Sequence, residues 1–528
     1  MHILRSKTLR AAGGLVLAAH LAGFDDGTRA AAPANGAQGA SALHAPADVY
    51  GIVNLVPSQA LVAHINASGQ AAFEYIGLDY NAHVGFFDGQ RVIHPITPSN
   101  TVSFLGALND RGELAFVSRY VSPDDPWSTN LQPYRWSAAR GLARLPSLGA
   151  AGDSWIPAIN NNGIVVGASY TGSDPATGRG VSWSAANRLT VLPRPPGFDL
   201  SYAFDINERN VNVGSVTDAG GINHAARWDS ANRPTVLGTL GGVRGAIAMY
   251  NNERGDIAGM LDGGTPDARA FLWSPSRGVA TPGPNAVVVG LNEAGEIAGR
   301  IVSPDGASRA FLYSRARGLV DLHPASLAVS EINSLNDAGV SVGVAWASQG
   351  ERRAYRWSRT GAAVDLNTRL LNPPAGLTLA SALAIAANGD IVAESSAGLV
   401  LLRRGGGGTD APVLGPINFP ETALNRPLQL TLSFRDRNVG DRHRATVDWG
   451  DGQGPQPATV REVRSNGSVN GEVSARHTFT TPGPRNIIVR VIDSTGRSTV
   501  QYIESLIGFK TAPPPRAALA RPVPPPLR

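Results

Sequence analysis

A short motif, Asn-x-x-Gly followed by a strand of small and branched residues, returns along this chain at a nearly constant spacing, and that repeat limits the fold more than any other feature. It reads HINASGQAA, ALNDRGELA, AINNNGIVVG, DINERNVNVG, YNNERGDIAG, GLNEAGEIAG, SLNDAGVSVG and AIAANGDIVA. The aligned positions are Asn66, Asn109, Asn160, Asn207, Asn252, Asn292, Asn336 and, in the last unit, Ala386. Steps of 40 to 51 residues separate them, the period of a propeller blade or a similar repeat unit. An aromatic strand end follows the motif at Trp136, Trp183, Trp228, Trp273, Tyr313 and Trp357. The distance from motif to this position is 21 residues in five units, counting Phe87 in the first.

Backbone chemistry explains the motif without a ligand. An Asn side chain at the start of a tight turn bonds its own backbone two residues on, and Gly supplies the left-handed conformation that closes the turn. Asn210 stands in the glycine position of the fourth unit, and Asn is the next residue that tolerates positive φ. The aromatic strands, such as RAFLW at 269–273, carry apolar groups toward both faces. That pattern belongs to strands packed between two neighbours, so the recurring aromatics are expected in an inter-blade core. Trp127, Trp155 and Trp346 lie off the register and are the candidates for surface binding.

Each unit offers four short strands. The eighth stops after GLVLLRR (398–404), and YGIVNLVP (50–57), which precedes the first turn, matches the fourth strand it lacks. The fold predicted is therefore all-β: a closed β-propeller over 49–404, with eight blades, or seven should one divergent unit not be a full blade, in which the N-terminal strand leaves no free edge. GINHAARW (221–228), ARAFLWSPSRG (268–278) and LNEAGEIAGR resemble the HAF repeats of probable extracellular bacterial proteins. His224 and Ala225 keep the start of the name-giving triplet, Ala270 and Phe271 its end. The resemblance implies architecture and says little about activity.

The first residues read as an export signal: a cationic stretch with Arg5, Lys7 and Arg10, a short apolar run, then small residues suited to cleavage. Residues 1–32 are assigned to it, and a secreted protein, extracellular or periplasmic, is expected. The mature chain offers no apolar run long enough for a membrane span. No cysteine is present, which excludes disulfides and thiolate chemistry. A net charge of +5 falls to +3 without residues 1–32, and the arginines are dispersed, so no nucleic-acid partner is expected.

Residues 405–412 are Gly-rich and mark a linker, and 510–528 form a Pro-rich tail read as disordered. Between them, 413–509 hold alternating strands in a segment of the size of an Ig-like β-sandwich. VDWGDG (447–452), HTFTTPG (477–483) and VRVIDSTGRS (489–498) resemble a PKD domain. That resemblance implies Trp449 in the core and a spacer, glycan-facing or protein-facing role; Pro484 and Asn486 depart from its pattern. The loop RDRNVGDRH places Asp436, Asn438 and Asp441 within a short span, an oxygen-rich spacing that suits calcium.

No HExxH, GxSxG or Walker sequence occurs, so no catalytic residue is assigned. Two readings follow. The first is a non-catalytic binding or scaffold module for an extracellular polysaccharide or surface protein. The alternative is a secreted propeller glycosidase or polysaccharide lyase whose carboxylates converge only in three dimensions.

Overall fold

A computed structural model of the protein describes residues 49–507 except 57, 59, 78–80, 90–91, 94–95, 99–100, 121–129, 150–152, 173, 239, 241–243, 263–267, 304–305, 349, 372, 406–410, 420–423 and 466. The export signal and the tail lie outside the described residues. Eight separate four-stranded antiparallel sheets follow one another along the chain. The first runs from Ala60–Ile65 to Val92–Ile93 and the seventh ends with Ala363–Asp365. First strands of successive sheets touch all the way round, eighth to first included. They line a common axis, and the arrangement is an eight-bladed propeller.

The repeat supplies each blade with its hairpin. In the fifth, Gly255 donates to the Asn252 carbonyl and Asn252 to that of Asp256. Gly255 has φ +80°, and Asn210, its counterpart in the fourth blade, has φ +60°, so the turn geometry is kept where glycine is not. Ahead of the turn, each first strand carries a register shift, as between Ala248 and Tyr250 or Val288 and Gly290. This bulge explains the recurring Ile-Ala-Gly. A Cβ on Gly259 would overlap the Ile247 carbonyl and one on Gly299 that of Val287, with the same conflict at Gly167, Gly214 and Gly343.

The aromatic strand ends pack between blades. Trp183, Trp228 and Trp357 are fully buried. Trp228 lies against Ala158, Val166 and Leu192 of the preceding blade, and its indole N–H donates to the Pro193 carbonyl at 2.7 Å. Trp273 is only partly buried, so the core role is not uniform round the ring.

Tyr50–Val56 completes the eighth blade by pairing antiparallel with Gly398–Arg404. Among the described residues no ladder joins the eighth sheet to the first; they meet by packing of Val53, Leu55, Ala63, Phe73, Leu399 and Leu401 and through Arg403, which donates to the Gly89 carbonyl at 2.9 Å. The expectation of a ring sealed by strand pairing is thus met within one blade and not between blades, because neighbouring sheets present faces to each other.

The C-terminal strands differ from the two separate sheets of a sandwich. Their pairing runs through seven strands as one sheet, because Pro455–Ser465 changes partner midway. Its first residues pair with Arg444–Asp448, and those from Thr459 onward with Ser468–Thr478. The sheet wraps on a core that includes Phe434, Val447, Trp449 and Val489. It contacts the eighth blade, where the Leu414 N–H donates to Asn54 Oδ1 and Ser433 Oγ to the Ala375 carbonyl. No helix among the described residues is long and apolar enough to cross a membrane.

Candidate functional site

Strands alternate in direction, so the turns joining first to second and third to fourth strands share one end of the propeller. The remaining connections share the opposite end. At the first end the motif asparagine bonds in two directions. Its Oδ1 accepts from its own turn, as from the backbone of Arg254 and Asp256 at Asn252. Its Nδ2 donates to the motif carbonyl of the next blade: Asn66 to Asn109, Asn109 to Asn160, Asn160 to Asn207, Asn207 to Asn252, Asn252 to Asn292, Asn292 to Asn336, and Asn336 to Ala386, at 3.0–3.2 Å.

A second series runs beside the first. The backbone N–H after each motif residue meets a side-chain oxygen one blade on, through Asp110, Asn161, Glu208, Glu253, Glu293 and Asp337. Both series stop at Ala386 and Ala387, which have neither group. The sequence reading identified the turn but not these links between blades. A signal was present: a turn needs only Oδ1, which Asp also supplies, yet seven units hold Asn and none holds Asp.

The opposite end carries groups that do not repeat. Trp346 ends the second strand of the seventh blade, and Arg352, just before Arg353–Trp357, lies over its indole at 5.1 Å. Glu394, partly buried on the second strand of the eighth blade, interacts electrostatically with Arg352. Burial raises its pKa to about 7, against a weaker opposing pull from Arg352. An Arg300–Glu331 pair at 3.9 Å joins the sixth blade to the seventh. Trp155 meets Phe204 edge-on, 5.1 Å between centroids, on the first strands of the third and fourth blades. Trp127 lies outside the described residues. The structure thus gives Trp346 polar neighbours and Trp155 an aromatic one, and sets these two on different blades, the seventh and the third.

The Glu394 pKa has a consequence for stability. Between the ordinary carboxyl value of 4.5 and about 7, the folded state keeps a proton that the unfolded state has lost, so rising pH withdraws stability across that window. Glu394→Gln removes this slope. It should match the wild type at pH 4 and exceed it by about 1–3 kcal/mol at pH 8, read from denaturation midpoints at the two pH values.

In the C-terminal sheet the structure brings Asp436 and Asp441 together and adds Asp493, which sequence spacing did not reveal. Asn438 joins through its backbone, its N–H donating to Asp436 Oδ1 and its carbonyl accepting from the Asp441 N–H. His443 is buried between Asp436 and Glu462, at 3.0 and 2.9 Å. Burial works against its charge, but the two carboxylates outweigh it and hold its pKa above the usual histidine value.

No family model matches the chain, and no curated protein does. Among solved structures, it is similar to a puromycin-hydrolysing peptidase of Mycobacterium tuberculosis, at 11% identity and a TM-score of 0.40 over 74% of this chain and 59% of that one. It is similar to prolyl oligopeptidase B of Galerina marginata, at 12% identity and 0.39 over 74% and 56%. It is also similar to the six-bladed fucose-recognising lectin of Aleuria aurantia, at 9% identity and 0.27 over 52% and 96%. The chain covers less than two thirds of either peptidase. Likenesses this distant say nothing of what this chain binds or cleaves, and the blade count stands on the strand pairing alone.

Proposed function

We propose that this protein is a secreted bacterial propeller of the HAF-repeat type, carrying an Ig-like, PKD-type C-terminal domain, that binds an extracellular polysaccharide without turning it over. One observation carries the reading. The repeated polar side chains at the motif turns are engaged in bonds between blades, which leaves the non-repeating Trp346, Arg352 and Glu394 at the opposite end for a ligand. Loops vary while the scaffold repeats, as expected where recognition lives on a rigid frame. The Arg352 guanidinium fixes the indole and presents donors beside it, and a carboxyl nearby supplies acceptors. An apolar ring flanked by both kinds of group suits a sugar, which offers C–H faces and paired hydroxyls.

A glycan array probed with the purified protein tests this. Trp346→Ala should weaken binding about thirtyfold, the ~2 kcal/mol typical of an aromatic anchor, with the thermal midpoint kept. Binding that survives Trp346→Ala and Arg352→Ala moves the site elsewhere.

The hydrolase alternative has one specific support, the Glu394 pKa near 7, a value suited to a general acid. Product released from a glycan panel and abolished by Glu394→Gln would establish it in place of the binding reading.

A further inference from the structure

We propose that Asp436, Asp441 and Asp493 form a calcium site that ties together three segments of the C-terminal sheet. Asp436 ends the strand Pro427–Asp436, Asp441 lies in the loop that follows, and Asp493 comes directly after Gly483–Ile492. The pairing of Arg444 with Ile492 draws the far end of that loop up to the third segment. The three aspartates are 1%, 8% and 1% exposed, and one oxygen from each lies within 4.8 Å of the others.

Three carboxylates packed this closely out of water repel one another unless a cation or protons intervene. Among the described residues, the one cationic side chain in ion-pair reach of the three is His443, which contacts Asp436 and is shared with Glu462. Arg464 comes near but spends its donors on the Val439 and Asp441 carbonyls and on Glu462.

A second observation is independent of the clustering. Asp493 Oδ1 accepts from Thr495 N, Thr495 Oγ1 and Arg497 N at 2.7–2.9 Å. That turn orients the carboxylate and leaves Oδ2, which is buried and has no hydrogen-bond partner. A buried carboxylate oxygen without a donor is costly, and this one belongs to a carboxylate that converges with the other two. Asp441 is held in turn by Ser494 Oγ on its Oδ1 at 2.7 Å.

The donor chemistry selects the ion. The three ligands are hard oxygens, which favour calcium or magnesium over zinc or copper. Oxygens bound to calcium at about 2.3–2.6 Å stand up to roughly 5 Å apart across the ion, and the observed cluster fits inside that span. Carboxylates drawn from a strand end and two turns suit the larger and less regular calcium sphere better than the strict octahedron of magnesium.

The test uses the full-length protein stripped with a chelator and then titrated with calcium chloride, followed by calorimetric binding and by thermal unfolding. One bound calcium per chain and a rise of several degrees in the unfolding of the C-terminal domain are expected. Asp493→Asn keeps the size and the Oδ1 acceptor while replacing the free oxygen, and should weaken calcium binding at least tenfold. Asp451→Asn, on a separate turn of the same sheet, should leave it unchanged. Absence of binding heat and of any calcium-dependent shift in the stripped wild type would overturn the site. So would an undiminished shift in Asp493→Asn, and an equal response to magnesium would overturn the assignment to calcium.

Discussion

Deleting residues 49–56 is expected to abolish the native propeller, although the deletion removes less than one strand in thirty. Tyr50, Ile52, Val53, Leu55 and Val56 are all buried, and full burial of such side chains contributes about 1.5–3 kcal/mol each. Their loss amounts to something on the order of 10 kcal/mol, comparable with the whole stability of a typical folded protein. The deletion also uncovers the Gly398–Arg404 strand as an edge, which invites aggregation. Differential scanning calorimetry and size-exclusion chromatography of the truncated chain check this. A soluble monomer with a wild-type midpoint would show that the N-terminal strand is dispensable. A synthetic peptide of residues 49–57 that restores the midpoint would localise the effect to the missing ladder.

That strand was legible in the sequence because its apolar pattern matches the fourth strand of other units, and a repeat advertises what one unit lacks. The turn glycines and Asn210 were legible for the same reason, since a positive φ restricts residue type at a fixed offset. What escaped was set by pairings across many residues. Asp493 stands 52 positions beyond Asp441, and only the neighbouring strands bring them together. Glu394 owes its raised pKa to burial in the eighth blade, which outweighs the opposing pull of Arg352 on the seventh, and neither is visible in a window of sequence. The bulge that demands Gly259 is set by Ile247, on the other side of the turn. The continuity of the C-terminal sheet depends on where one strand changes partner, and alternation of apolar residues is identical on either side of that point.

The second large effect concerns the ring of asparagines, where substitutions separate two roles of one side chain. Asn292 accepts from Glu296 N through Oδ1 and donates through Nδ2 to Glu296 Oε2 and to the Asn336 carbonyl. Asn292 and Glu296 are both buried, at 3% and 1% exposed. Asn292→Ala leaves several buried polar atoms unpaired at about 1–3 kcal/mol each, so a loss of about 3–5 kcal/mol is expected. Asn292→Asp is the discriminating variant. It keeps the acceptor that shapes the turn but sets a second oxygen against Glu296 and the Asn336 carbonyl, so it should destabilise as much as alanine near neutral pH. A tolerated Asp would reduce the asparagine to a turn residue. The eighth blade supplies the opposite case, because Ala386 neither caps its turn nor reaches the first blade. Ala386→Asn restores both groups at the one junction the series leaves open. A gain of about 0.5–1.5 kcal/mol is expected, measured with Asn292→Ala by denaturant unfolding, and opposite signs at the two positions would show that the links between blades stabilise the ring.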